Sequence, residues 1–166
     1  MKDFGVKPYL FPMPVYMIGT YNEDDTVDAM AMAWGGICAE NMVALNLEED
    51  HKTVANLKAR GAFTLSVPGR DTIVESDYMG LVSSNKVPDK FERTGLHAVK
   101  SSRVDAPVIL EYPLTLECRV LYAQEQVESA IPDELRARFY SGPNAGDAHT
   151  AYIGLIERAY VIRGEG

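Results

Sequence analysis

His51, Lys52 and Thr53 stand consecutively, and together they offer an imidazole, an ammonium and a hydroxyl at the start of a segment whose spacing predicts a short helix over residues 51–60. The first N–H groups of a helix have no intrahelical acceptor and carry partial positive charge. They favour an anion, and phosphate suits such a place. Glu48, Glu49 and Asp50 lie just upstream and would repel a phosphate unless they point away. The plainer reading, which the local pattern favours, is that Thr53 or Asp50 caps the helix while Lys52 is solvated.

A second candidate is the run over residues 29–36. Ala29, Ala31 and Ala33 alternate with Met30, Met32 and Trp34 before Gly35 and Gly36, so a strand here puts small side chains on one face. A flat ring fits against such a face and takes hydrogen bonds from main-chain N–H groups, which glycine lets it approach. The plainer alternative packs the alanines on a helix, with Trp34 and the methionines as core. Lys90 and Phe91, in a long loop expected over residues 81–95, either cover a ligand or form a surface salt bridge and a plug.

No phosphate-binding G-x-x-x-x-G-K-[ST], dinucleotide G-x-G-x-x-G, G-x-S-x-G elbow or H-E-x-x-H occurs, so chemistry is expected to come from a cofactor. His51, His97 and His149 are far apart without recurring carboxylate spacing, and no metal site is expected. Cys38 and Cys118 form no metal or redox spacing and are expected as buried free thiols.

The elements that must position these residues are mostly short strands. A hairpin is expected from residues 15–21 and 27–34 around a turn at 22–26, with Gly35 and Gly36 ending the second run. Strands follow over residues 42–47 and 62–67. Gly61 is placed to cap the 51–60 helix in the left-handed conformation. Thr72 and Glu75 have capping-box spacing for a second helix ending near Gly80, and one helical turn fits 89–93. Alternation predicts a half-buried strand over 114–122, Pro132 opens a helix to residue 139 at its first position, and a last strand runs over 152–162. The fold class is mainly β with short helices, a barrel with helical insertions rather than a parallel sheet, in one domain over residues 1–166.

The chain has 166 residues and a formal charge of −8. That acidic balance argues against nucleic acid and anionic membrane, which need clustered Lys and Arg. The charge-free stretches 8–22 and 29–39 fall short of the roughly 20 apolar residues of a membrane span. Without a recognisable leader at the N-terminus, a cytoplasmic location is the expectation.

At these residues the chain resembles the flavoredoxin branch of the flavin reductase-like family, the FMN-binding split β-barrel proteins. The resemblance rests on an ordered set of motifs rather than on one: Tyr9-Leu-Phe-Pro-Met-Pro-Val15, Ala29-Met-Ala-Met-Ala-Trp-Gly-Gly-Ile-Cys38, His51-Lys-Thr-Val-Ala-Asn56, Gly61-Ala-Phe-Thr-Leu-Ser66, Asp77-Tyr-Met-Gly80, Asp89-Lys-Phe-Glu-Arg-Thr-Gly95, Asp105-Ala-Pro107, Leu116-Glu-Cys118 and Tyr152-Ile-Gly154. It implies a Greek-key-like split barrel and a homodimer with FMN near the interface. By this resemblance Ala31, Met32, Ala33 and Trp34 lie along the flavin ring and ribityl chain, and His51, Lys52 and Thr53 hold the phosphate. Asn46 falls on the strand entering that phosphate turn, and Ser83, Lys90 and Phe91 approach the flavin from the long loop. Some relatives carry arginine and lysine where Glu48 and Glu49 stand, and many carry asparagine where Ser66 stands. The segment 130–148 has no counterpart in the pattern, and Gly146-Asp-Ala-His149 loosely resembles a Gly-Asp-His turn with one alanine inserted, which makes His149 a speculative nicotinamide contact.

The function implied is an FMN flavoprotein oxidoreductase that passes hydride or electrons through flavin N5, with NAD(P)H or another redox protein as its electron partner. The alternatives are a non-catalytic module that binds flavin or another small ligand, and a structural interaction protein without cofactor.

Overall fold

Asn22 through Thr26 make the first tight turn: Asn22 Nδ2 donates to Thr26 Oγ1 at 2.9 Å, and Asp25 takes φ 65°, a left-handed conformation that aspartate tolerates better than most residues. The turn joins β1 (Tyr16–Tyr21) to β2 (Val27–Met32), in antiparallel register with Tyr16 opposite Met32. In chain order there follow β3 (Gly35–Ala39), β4 (Met42–Glu48), α1 (Lys52–Arg60), β5 (Ala62–Val67), α2 (Ile73–Leu81), β6 (Ala98–Lys100), β7 (Pro107–Ile109), β8 (Leu114–Glu125), α3 (Asp133–Phe139) and β9 (His149–Val161). This computed structural model describes residues 1–8, 10, 12–142, 145 and 148–162. Tyr9 and Phe11 of the first motif, and Gly146 and Asp147 of the turn before His149, lie outside the described residues.

Seven strands form one antiparallel sheet in the order β2-β1-β5-β8-β9-β4-β3, and β6 pairs with β7 in a small ribbon. The two edge strands, β2 and β3, are consecutive in the chain and separated only by Ala33 and Trp34. Three Cα steps reach at most about 11 Å, so the sheet must curl until its opposite edges meet. The Asn46 N–H of β4 donates to the Trp34 carbonyl at 3.0 Å, which carries the β3–β4 ladder one residue into this link. The result is a barrel that is closed in shape but split between β2 and β3.

Alternation of side chains sorts the core. Met32 on β2, Ile18 on β1, Phe63 and Leu65 on β5, Val43, Leu45 and Leu47 on β4, Cys118 on β8 and Tyr152 on β9 fill the barrel, with Val54 and Leu57 of α1 packed among them. The other face of the hairpin contributes Met17 and Ala29 to a second cluster with Met79 of α2, Phe91, Ile109 and Tyr112, against which Ala31 packs. Gly80 makes this second contact possible, because a Cβ there would lie 2.9 Å from the Ala31 Cβ. The alanine face is therefore partly covered by a helix.

Several local expectations are corrected. Gly35 and Gly36 do not end a strand; they open β3, after the chain has turned the seam. Gly61 caps α1 at φ 65°, as its place suggested, but the N-cap is His51 and makes no side-chain cap bond. The capping box at Thr72 does not form: a 3₁₀ turn over Arg70–Thr72 precedes α2, and the Thr72 hydroxyl donates back to the Gly69 carbonyl at 3.1 Å. The turn expected at residues 89–93 is a 3₁₀ turn over Glu92–Thr94. Pro132 is the N-cap of α3 rather than its first residue. The β6–β7 ribbon has no alternating pattern long enough to read. Of the two thiols Cys118 is buried, whereas Cys38 is exposed on the edge strand β3.

Candidate functional site

In the turn that leads from β4 into α1, Glu48 and Asp50 stay beside His51 at the helix start, and only Glu49 is engaged elsewhere. Glu48 lies 3.5 Å from His51 Nε2 and 3.9 Å from His149 Nε2 through its two oxygens. Glu49 accepts from Lys58 Nζ at 2.5 Å and from the Thr150 hydroxyl. Partial burial pushes the Glu49 carboxyl up, but the hydrogen bonds from Lys58 and Thr150 outweigh it and hold it below the ordinary carboxylate range. The Asp50 carbonyl accepts from Asn85 Nδ2 at 2.7 Å, which ties the turn to the loop after α2. Glu48, Asp50 and His51 bring one ligand atom each within 4.8 Å of one another.

The first turn of α1 carries no acid. No acid of the first turn therefore offsets the positive end of the helix or the Lys52 ammonium, and Lys52 and His51 both line a groove. His51 Nδ1 is buried without a hydrogen-bond partner among the described residues, an arrangement that asks for a polar ligand.

Two grooves run side by side along β2 and share Gly80 and Leu81. The narrower, of about 160 Å³, is lined by Asp28, His51, Lys52, Thr53, Ser83 and Lys90 among others. The wider, of about 660 Å³, lies over Ala31, Met32 and Ala33 between β2, α2 and Pro68 to Arg70. It is the more apolar of the two and has the room for a flat aromatic body.

Of the residues singled out in the sequence, the structure brings His51, Lys52, Thr53, Ser83 and Lys90 to one groove and Ala31, Met32 and Ala33 to its neighbour. Trp34 instead sits in the β2–β3 link, 57% exposed, where its carbonyl accepts the Asn46 N–H of β4. Ser83 Oγ accepts the Asn85 N–H at 3.3 Å and shapes the loop. Phe91 turns into the second core cluster behind Met79. His149 opens β9 opposite Glu48, beside the α1 turn.

Lys90 is neither a surface salt bridge nor an open cation. It is 3% exposed and its ammonium faces the Met79 carbonyl at 3.3 Å, the Val82 carbonyl at 3.1 Å and Asp28 Oδ1 at 3.5 Å. It thus satisfies the end of α2 and straps the following loop to β2. Burial pushes its pKa down, and the Asp28 charge opposes that.

The residue missed from sequence is Asp28. It is 1% exposed, accepts from Thr53 Oγ1 at 2.8 Å and also takes the Ser84 hydroxyl. Its signal was a single charge inside the otherwise uncharged run 27–34, since a lone buried carboxylate must have partners.

The family model described as flavin reductase like domain matches residues 9–166. Among solved structures, flavoredoxin of Desulfovibrio vulgaris (Miyazaki F) superposes with a TM-score of 0.78 at 30% identity, covering 97% of this chain and 76% of that one. A flavoredoxin from Methanosarcina acetivorans gives a TM-score of 0.70 at 23% identity, covering 96% of this chain and 75% of that one. An FMN-binding domain of a flavin reductases-like enzyme from Shewanella baltica OS155 gives 0.68 at 16% identity, covering 90% of this chain and 69% of that one, and shares the fold.

Proposed function

The chain belongs to the flavin reductase like domain family, and from that premise we propose that it binds FMN along β2 and passes reducing equivalents, as an oxidoreductase of flavoredoxin or NAD(P)H:flavin reductase type. The observation that carries this reading is the pair of adjoining grooves. Residues 28 to 33 of an extended strand cover about 17 Å, long enough for a three-ring head and a phosphorylated pentitol in line. The head end is the roomy apolar groove at Ala31, Met32 and Ala33, and the other end has Lys52 and the His51 Nδ1 without a partner among the described residues.

When bound, the flavin supplies two-electron chemistry at its N5 atom. The chain's own residues position and shield it. Lys52, His51 and the first-turn N–H groups of α1 balance the phosphate charge. Ala31 and Ala33 leave room for the ring, Trp34 limits access at the seam, and Ser83 and Lys90 hold the loop that forms the far wall. A homodimer with the flavin near its interface belongs to this proposal, with Trp34 and Ile37, both exposed along the start of β3, as apolar surface for a second copy to cover. No helix among the described residues is long and apolar enough to cross a membrane. NAD(P)H and a redox protein are the two candidate electron donors.

The test is a visible spectrum of the purified protein followed by anaerobic NADH and NADPH. A yellow chromophore that bleaches supports the reductase reading. A bound flavin that ignores both nucleotides assigns the donor role to a protein, and a folded sample that takes up no FMN refutes the proposal.

A further inference from the structure

Asp28 is surrounded by donors from three different segments. Thr53 of α1 reaches its Oδ2 at 2.8 Å, the Ser84 hydroxyl reaches Oδ1, and Lys90 Nζ stands 3.5 Å from Oδ1. All four residues are buried, Thr53 at 1% and Ser84 at 6% exposure, and all four line the narrower groove.

An ionised carboxylate can only accept, and a hydroxyl has a single proton. Both hydroxyl protons are therefore committed to Asp28, and what Thr53 and Ser84 have left to offer the groove is lone pairs. Lys90 adds nothing to the contrary, because its ammonium already faces the Met79 and Val82 carbonyls and Asp28. This stretch of wall is an acceptor surface. A fully ionised phosphate has only acceptor oxygens and gains nothing from it, whereas a polyhydroxy chain presents a proton at every hydroxyl.

Resting on the proposed flavin site, we infer that Asp28 is a positioning residue that fixes Thr53 and Ser84 as hydrogen-bond acceptors for the pentitol hydroxyls. The phosphate is left to Lys52, His51 and the helix N–H groups. Thr53 then belongs to the sugar-alcohol part of the ligand and not to its phosphate.

Three flavins separate these roles: FMN, riboflavin, which lacks the phosphate, and lumiflavin, which lacks the pentitol as well. Their dissociation constants are measured by fluorescence quenching on the full chain. Thr53→Val is expected to weaken FMN and riboflavin by the same factor, about 3- to 10-fold for one neutral hydrogen bond, and to leave lumiflavin unchanged, while Thr53→Ser restores both. Ser84→Ala behaves like Thr53→Val. In Asp28→Asn the amide donates where the carboxylate accepted, which turns one hydroxyl proton into the groove, so riboflavin loses more affinity than FMN. Loss confined to FMN would show that Thr53 donates to phosphate and overturn the inference. An equal loss for all three flavins would reduce Thr53 to a structural role, and no change in any would remove it from the site; each overturns the inference too. Should the unsubstituted protein bind none of the three, the flavin reading itself fails, a result distinct from all of these.

Discussion

Lys90 Nζ lies 3.5 Å from Asp28 Oδ1 with both side chains almost wholly out of solvent, at 4% and 1% exposure. The pair connects the edge strand β2 to the loop that walls the narrower groove. Removing one partner of such a pair leaves an uncompensated buried charge, at a cost of about 3–5 kcal/mol. Lys90→Met is accordingly expected to lower the urea midpoint strongly. Combining it with Asp28→Asn recovers most of that loss, because no net charge then remains buried. A double variant no more stable than Lys90→Met alone would mean that the strap to the Met79 and Val82 carbonyls, and not the ion pair, carries the energy.

Lys52→Ala removes the cation at the start of α1. FMN is expected to bind more weakly by about 1.5–3 kcal/mol, the range for a hydrogen bond to a charged group, with riboflavin little affected. Added salt narrows the difference between the two proteins, since the groove is open to solvent at this end. Equal losses for FMN and riboflavin would place the ammonium away from the phosphate.

Trp34 is the single tryptophan of the chain and is 57% exposed at the seam. Its emission should therefore be that of a solvated indole in flavin-free, dilute protein. Titration with FMN is expected to quench it, and raising the protein concentration into the dimer range should protect it from acrylamide. An indole indifferent to both would separate the seam from both the flavin and the subunit contact.

Gly154 of β9 packs beneath Phe63. A Cβ there would fall against the Phe63 ring and within 3.2 Å of Val43 Cγ2, and Phe63 is fully buried in the barrel. Gly154→Ala should destabilise by about 1–3 kcal/mol through overpacking, read as a lower Tm with the flavin spectrum unaltered in whatever fraction stays folded.

Alkaline pH should weaken the fold. Burial, with Glu117 and Glu157 nearby, pushes the Cys118 thiol from its ordinary 9.0 up to about 12. Burial and the hydrogen bond to Glu117 push the Tyr160 phenol from 10.0 up to about 12. Both groups stay protonated in the folded chain after they would ionise in the unfolded one. Stability is thus fully present below about pH 9 and declines as pH rises towards 12. Urea midpoints at about pH 8 and about pH 10.5 measure the decline, and Cys118→Ala should make it shallower. An unchanged decline in that variant would exclude the thiol as its source.

Strand alternation was legible wherever a buried face and an open one coexist: β2 reads as Ala against Met because one side meets α2 and the other fills the barrel. Gly61 was legible because a left-handed cap needs it. The β3 strand was not, since Gly35 and Gly36 look like a stop, and their strand conformation follows from pairing with Ala44 and Leu45, a contact fixed only by the curl of the whole sheet. Lys90 and Asp28 are 62 positions apart, and nothing local in either residue names the other. For the same reason His51 could be read as a helix start, while its Glu48 contact and its buried Nδ1 required the structure.

The two-residue passage from β2 to β3 makes the barrel intolerant of length changes where its rims touch. One extra residue between Met32 and Gly35 would let the rims drift apart. Loop grafts and affinity handles belong elsewhere on the surface, for instance around α3, whose residues contribute nothing to either buried cluster.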